Sequence, residues 1–162
     1  MTGKARKSAP HATPPHLTRE RDEIFREATK RPVHLRGRFI LLVFFGGTLG
    51  TAARLGLSLL FPTDGLPTTI LAINLAGAFI LGVLLESLIR TGQDIGMRRA
   101  VRLFIGTGFF GGFTTYSALA VDTVRLAESG EPEISVLYAA GSLVLGTLVA
   151  WLGIVCARKA RQ

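Results

Sequence analysis

Asn74, Thr114, Thr115, Tyr116, Ser117, Tyr138 and Ser142 are hydroxyl and amide groups set inside long apolar runs. They offer hydrogen-bond donors without full positive charge. Such a set can replace the water around a small anion and still let it go, and the partly positive edges of aromatic rings can line the same path. Beside them runs Gly106-Thr107-Gly108-Phe109-Phe110-Gly111-Gly112-Phe113, then Thr114-Thr115. Each glycine inside a helix costs about 1 kcal/mol relative to alanine, so this stretch predicts a broken helix. Within a membrane, broken backbone is tolerated only where it is buried in protein or lines a cavity. The break would free backbone carbonyls, which suit a hard cation such as Na⁺. The inventory therefore permits an anion path beside a structural cation, and does not name the anion.

Other chemistries fit poorly. Gly106, Gly108 and Gly111 spell a dinucleotide-binding pattern, but that pattern needs a preceding strand and a βαβ context, and here it sits in an apolar run. A hydrolase needs a nucleophile with a base. His11, His16 and His34 all lie in the N-terminal tail at irregular spacing, which also argues against a metal site, and no Ser-Lys or Cys-His pairing is evident. Cys156 stands alone and reads as a packing residue. The formal charge of +8 does not imply nucleic acid, because ten of the nineteen basic residues precede Phe39. They form a tail suited to anionic lipid.

The elements that must position these groups are apolar spans. Mean hydropathy is +0.40. Residues 1–37 are rich in Lys, Arg, Pro, Thr and Glu and are expected to be a disordered basic tail, with a weak surface helix over 18–30. No apolar stretch of signal-peptide type follows its first residues. Residues 38–158 form the membrane domain, with spans over about 39–61, 66–88, 100–126 and 135–157, and 159–162 is a basic end. A span of about 23 residues covers roughly 34 Å, enough for a bilayer core. The fold class expected is thus all-α and integral to the membrane, with four spans and the third broken.

Span one carries Gly46-Gly47-Thr48-Leu49-Gly50, a small-xxx-small pattern that permits close helix approach. It also carries Arg54, an ionisable group at membrane depth, which is a functional candidate by default or an anchor for backbone carbonyls. In span two, the Asn74 amide can cap a break, bridge helices or meet an anion. Glu86 lies near the far end. Basic residues Arg90, Arg98, Arg99, Arg102, Arg158, Lys159 and Arg161 gather at one side of the membrane with the tail, and Asp64, Glu128, Glu131 and Glu133 at the other. The positive-inside rule places both termini in the cytoplasm of a multi-pass plasma-membrane protein.

The motifs resemble those of the CrcB/Fluc family of fluoride channels over residues 39–157. The family's third span reads close to G-F-x-G-G-x-T-T-F-S-T-F, and here Gly108 to Leu119 matches it through Thr115 and partly thereafter. Gly47 to Arg54 resembles the first-span G-x-x-G-x-x-x-R element, Asn74 to Gly77 the second-span asparagine element, and Tyr138 and Ser142 the span-four hydroxyls.

The resemblance implies an antiparallel dual-pore dimer with a structural, untransported Na⁺ at its centre, held by the carbonyls of Gly111 and Thr114. It implies a fluoride pathway along Asn74, Tyr116, Ser117, Tyr138 and Ser142, with Gly108, Gly112 and Arg54 in packing roles and Asp122 as the vestibule acid. Four positions depart from the pattern: Tyr116 and Leu119 replace phenylalanine, Ala118 replaces threonine, and Asp122 replaces glutamate. Ala118 and Leu119 are eroded pore positions. The reading is a fluoride channel subunit that lets F⁻ leave the cytoplasm passively and lowers its toxicity. One alternative is a weakly conducting partner of a heterodimer. Another is a small multidrug-type exporter, which needs a carboxylate in span one where this chain has Arg54. An antiparallel homodimer needs one sequence to insert both ways. The strong charge bias here instead favours a heterodimer with an oppositely oriented paralogue.

Overall fold

A computed structural model describes residues 36–160; the expectations for the tail lie outside them. The described residues are helical and contain no strand. Helix α1 covers Gly37–Leu60 and α2 covers Thr68–Arg90. Between them, Gly65 adopts a positive φ of 87°, a conformation open to glycine. Thr69 Oγ1 donates to the Phe61 carbonyl at 2.6 Å, fastening the new helix to the end of the old one. Helix α3 (Gly96–Val101) runs into a π-helical stretch, π1 (Arg102–Phe109), and then a single turn, α4 (Phe110–Phe113). Helix α5 follows over Tyr116–Glu128, and α6 over Pro132–Lys159 starts on a proline whose missing N–H is no loss at a first helical position.

Three helices, α1, α2 and α6, are long and apolar enough to cross a membrane. The predicted span over 100–126 is instead a composite of shorter pieces. Thr114 is extended, with ψ 154°, and so is Thr115, with φ −149° and ψ 125°. The π-helical stretch, a geometry common at functional sites, was not expected. Burial is sparse and the outer faces are apolar: α6 exposes Val136, Leu137, Val144 and Trp151, and α1 exposes Phe44, Leu59 and Leu60. Such surfaces suit lipid or a second subunit.

Two seams hold the unit together. In the first, α1 meets π1 and α4 backbone to backbone. A methyl on Gly46 would fall onto the Phe104 carbonyl oxygen, and one on Gly108 would lie 2.8 Å from the Val43 oxygen. In the second, α2 meets α6 at Gly82 and Gly153, whose added methyls would strike the carbonyls of Ala150 and Phe79. With no side chain between them, the helices approach as closely as main chains allow.

Candidate functional site: the break and the polar side chains around it

At Thr114 and Thr115 the helix stops and restarts, and the displaced backbone groups can be followed one by one. In an unbroken α-helix the Thr115 N–H would bond the Gly111 carbonyl, and the Ala118 N–H the Thr114 carbonyl. Neither bond forms. Thr115 N–H donates to Asn74 Oδ1 at 2.8 Å, and Ala118 N–H donates to Thr115 Oγ1 at 3.2 Å. The second contact is an ordinary N-cap, the role for which threonine is suited. Asn74 Nδ2 returns a bond to the Thr115 carbonyl at 3.0 Å.

The Gly112 carbonyl is occupied as well. Arg54 Nε donates to it at 3.3 Å and Thr51 Oγ1 at 3.4 Å. Arg54 is therefore bound to backbone in the manner of an anchor. Gly112 itself abuts α1, because an added methyl would meet the Gly47 carbonyl oxygen. The Phe110 carbonyl receives both the N–H and Oγ1 of Thr114, at 3.0 and 2.7 Å. The carbonyls of Gly111 and Thr114 have thus lost their helical donors, and among the described residues no other recorded donor replaces them. Gly111 is exposed, with nothing within 4 Å of the place its Cβ would take.

The remaining positions fall into two groups. Ser117 Oγ lies 3.1 Å from Thr115 Oγ1, so it joins the Asn74 cluster, and Tyr116 beside it is 75% exposed. On the other side, Tyr138 is buried against Leu119 and Leu126, with Leu71 packed on the group. Among the described residues its phenol oxygen has no hydrogen-bond partner. Buried polar groups are nearly always partnered, so this one is an orphaned donor. Ser142 Oγ donates to the Tyr138 carbonyl at 2.6 Å. Both line a groove of about 280 Å³ between α2 and α6. No recorded hydrogen bond links this pair to the Asn74 cluster.

Leu119 is a core residue here, 6% exposed, and Ala118 contributes its backbone N–H rather than a side chain. Asp122, with its side chain 15% exposed, faces Arg125 at 3.8 Å. The two line an open cleft of about 560 Å³ with Thr63, Gly65, Ser129 and Glu131.

Three features lay beyond sequence reasoning. Thr51 contributes to the Gly112 contact. Buried Ser135 ties α6 to α5 through the Thr123 carbonyl at 2.6 Å. Glu86 is paired with both Arg90 at 2.6 Å and Arg158 at 3.1 Å. Nothing in the local pattern marked the first two. A carboxylate held by two guanidiniums is poorly placed to carry protons, which weakens the exporter reading.

Comparison with known proteins agrees with the layout. The profile of the family described as "CrcB-like protein, Camphor Resistance (CrcB)" matches residues 41–154. The chain is 54% identical over 124 residues to fluoride-specific ion channel FluC 2 of Leifsonia xyli subsp. xyli, covering 76% of this chain and 86% of the relative. It is 47% identical over 131 residues to FluC 1 of Cutibacterium acnes, covering 80% and 88%. To FluC of Thermus thermophilus it is 40% identical over 116 residues, covering 70% and 90%. With three helices of spanning length and a match that runs from the first to the last of them, this chain is a multi-pass membrane protein that belongs to the CrcB-like family.

Proposed function

We propose that the protein is a subunit of a fluoride channel that lets F⁻ leave the cytoplasm down its gradient and so lowers its toxicity. It performs no covalent chemistry. The observation that carries this reading is the 54% identity to a fluoride-specific channel across 124 residues. The orphaned phenol of Tyr138, in a groove that Ser142 also lines, supports it, because a dehydrated fluoride needs donors that protein partners have not already taken. The composite segment from Gly96 to Glu128 serves as the fourth span, with the break at mid-depth and both termini in the cytoplasm.

Na⁺ fits the break. Two carbonyls released from helical bonding, on a segment whose Gly111 face is open, are hard oxygen donors of the kind that alkali cations take. Gly111 and Thr114 of this chain would hold it, and the same two residues of a second subunit would bring the oxygens to four. The bound ion would neutralise carbonyl dipoles at the meeting point of an antiparallel dual-pore dimer. The concentration of Arg and Lys at one side favours an oppositely oriented paralogue as the second subunit.

The test is fluoride efflux from liposomes loaded with fluoride, followed with a fluoride electrode, with the protein alone and with a co-expressed paralogue. Flux that is blocked by Tyr138→Phe and absent for chloride is expected. No fluoride flux in either preparation would defeat the reading.

A further inference from the structure

Asn74 is assigned to the anion path, yet both ends of its amide are bound at the break. We propose that Asn74 and Thr115 are the positioning residues of the Na⁺ site, each releasing one of its carbonyls by diverting the backbone N–H that would otherwise occupy it. This rests on the Na⁺ reading given above.

The pairing is one to one. Asn74 Oδ1 takes the Thr115 N–H, whose helical acceptor would be the Gly111 oxygen. Thr115 Oγ1 takes the Ala118 N–H, whose helical acceptor would be the Thr114 oxygen. Asn74 Nδ2 then holds the Thr115 carbonyl, so both ends of the amide grip one residue and keep it extended. Gly77, one turn along α2 from Asn74, lies against the Thr114 methyl and leaves room for the break to sit there. Glycines weaken a helix, but they do not choose which carbonyls go free. These two side chains hold the donors of the Gly111 and Thr114 carbonyls elsewhere.

If either diversion is removed, the chain has a ready alternative. The N–H returns to its helical acceptor, and one cation ligand is lost. Asn74 would thereby tie occupancy of the Na⁺ site to the geometry of the fluoride path on which it also stands.

The experiment uses the full-length protein in detergent and in liposomes, with Na⁺ titrated against N-methylglucamine. Two readouts are taken: the midpoint of thermal unfolding and the rate of fluoride efflux. For the unaltered protein both rise with Na⁺ to saturation. Asn74→Leu and Thr115→Val are each expected to raise the half-saturating Na⁺ concentration at least tenfold in the unfolding readout. Thr115→Ser restores it, because the hydroxyl returns. Ser142→Ala lowers flux and leaves the half-saturating Na⁺ concentration where it was.

Should Asn74→Leu fail to fold, the Thr115→Val and Thr115→Ser pair carries the test, and no rise in the half-saturating Na⁺ concentration for Thr115→Val would overturn the proposal. Loss of flux in the Asn74 and Thr115 variants with an unchanged Na⁺ titration would overturn the proposal and leave the cation reading intact. An unaltered protein whose unfolding ignores Na⁺ would overturn both.

Discussion

Gly50→Ala is a severe test of how the broken segment is held. The new methyl would land on the Phe109 carbonyl oxygen, with the Phe109 carbonyl carbon at 2.8 Å and the Phe113 nitrogen at 2.9 Å. All three are backbone atoms, so no rotamer change relieves them. Restoring an ordinary 3.4 Å contact to the carbon alone means moving the end of π1 from α1 by about 0.6 Å, and relieving the oxygen contact requires more. Overpacking of this kind costs about 1–3 kcal/mol, and a wholly backbone clash belongs at the upper end. Alanine for glycine in a helix returns about 1 kcal/mol, leaving a net loss of about 2 kcal/mol, or roughly thirtyfold in the folded-to-unfolded ratio. Gly56, on the same helix with nothing within 4 Å, is the control. Gly56→Ala should be neutral or slightly stabilising. Both are measured by thermal unfolding in detergent, followed by loss of the folded peak in size-exclusion chromatography. If Gly50→Ala unfolds with Gly56→Ala, the backbone seam is not as close as described.

Other consequences are open to measurement. Tyr138→Phe removes a buried hydroxyl that has no partner. Thermal stability should hold or rise by about 1 kcal/mol, while fluoride efflux in liposomes falls. Glu86→Gln releases Arg90 and Arg158 together, so the α2–α6 end should loosen. Faster amide exchange near Arg158 would register this, with fluoride selectivity unaffected. Arg102 donates to Asp94 at 2.7 Å, and with Arg99 also nearby the Asp94 carboxyl is held below its ordinary value of 3.8. A lowered carboxylate pKa stabilises the fold above the unfolded value and loses that contribution as pH falls through the folded one. The unfolding midpoint should therefore drop below about pH 4, and Asp94→Asn should flatten that part of the profile.

The sequence carried the parts of this architecture that depend on residue type alone. Gly46 and Gly50 marked a close helix contact because small residues four apart leave a groove whatever lies opposite. The glycines before Thr114 mark a weak helix. The partners of long-range groups were not legible. The local pattern allows Asn74 three roles, and only the placement of Thr115, 41 residues away, shows that its amide grips the backbone. Leu119 packs against Tyr138, a residue from another helix, and no local pattern marks that partner. The π-helical stretch left no sequence signal, since an extra residue per turn is imposed by what the segment packs against. The partners of the displaced backbone groups are likewise a property of neighbours: local glycine content loosens the helix, and the Thr115 N–H and carbonyl are met by Asn74 from another helix.

The seam between α1 and the broken segment also matters electrically. Where main chains touch at Gly46, Gly50, Gly108 and Gly112 there is no gap for a thread of water. A single water needs about one probe sphere of space and several polar partners, and the Gly112 carbonyl is already taken by Arg54 and Thr51. A seam this close would act as insulation along the back of the break, leaving no parallel route there for water or ions. Widening this seam should show itself first as leak current, before any change in the fluoride path.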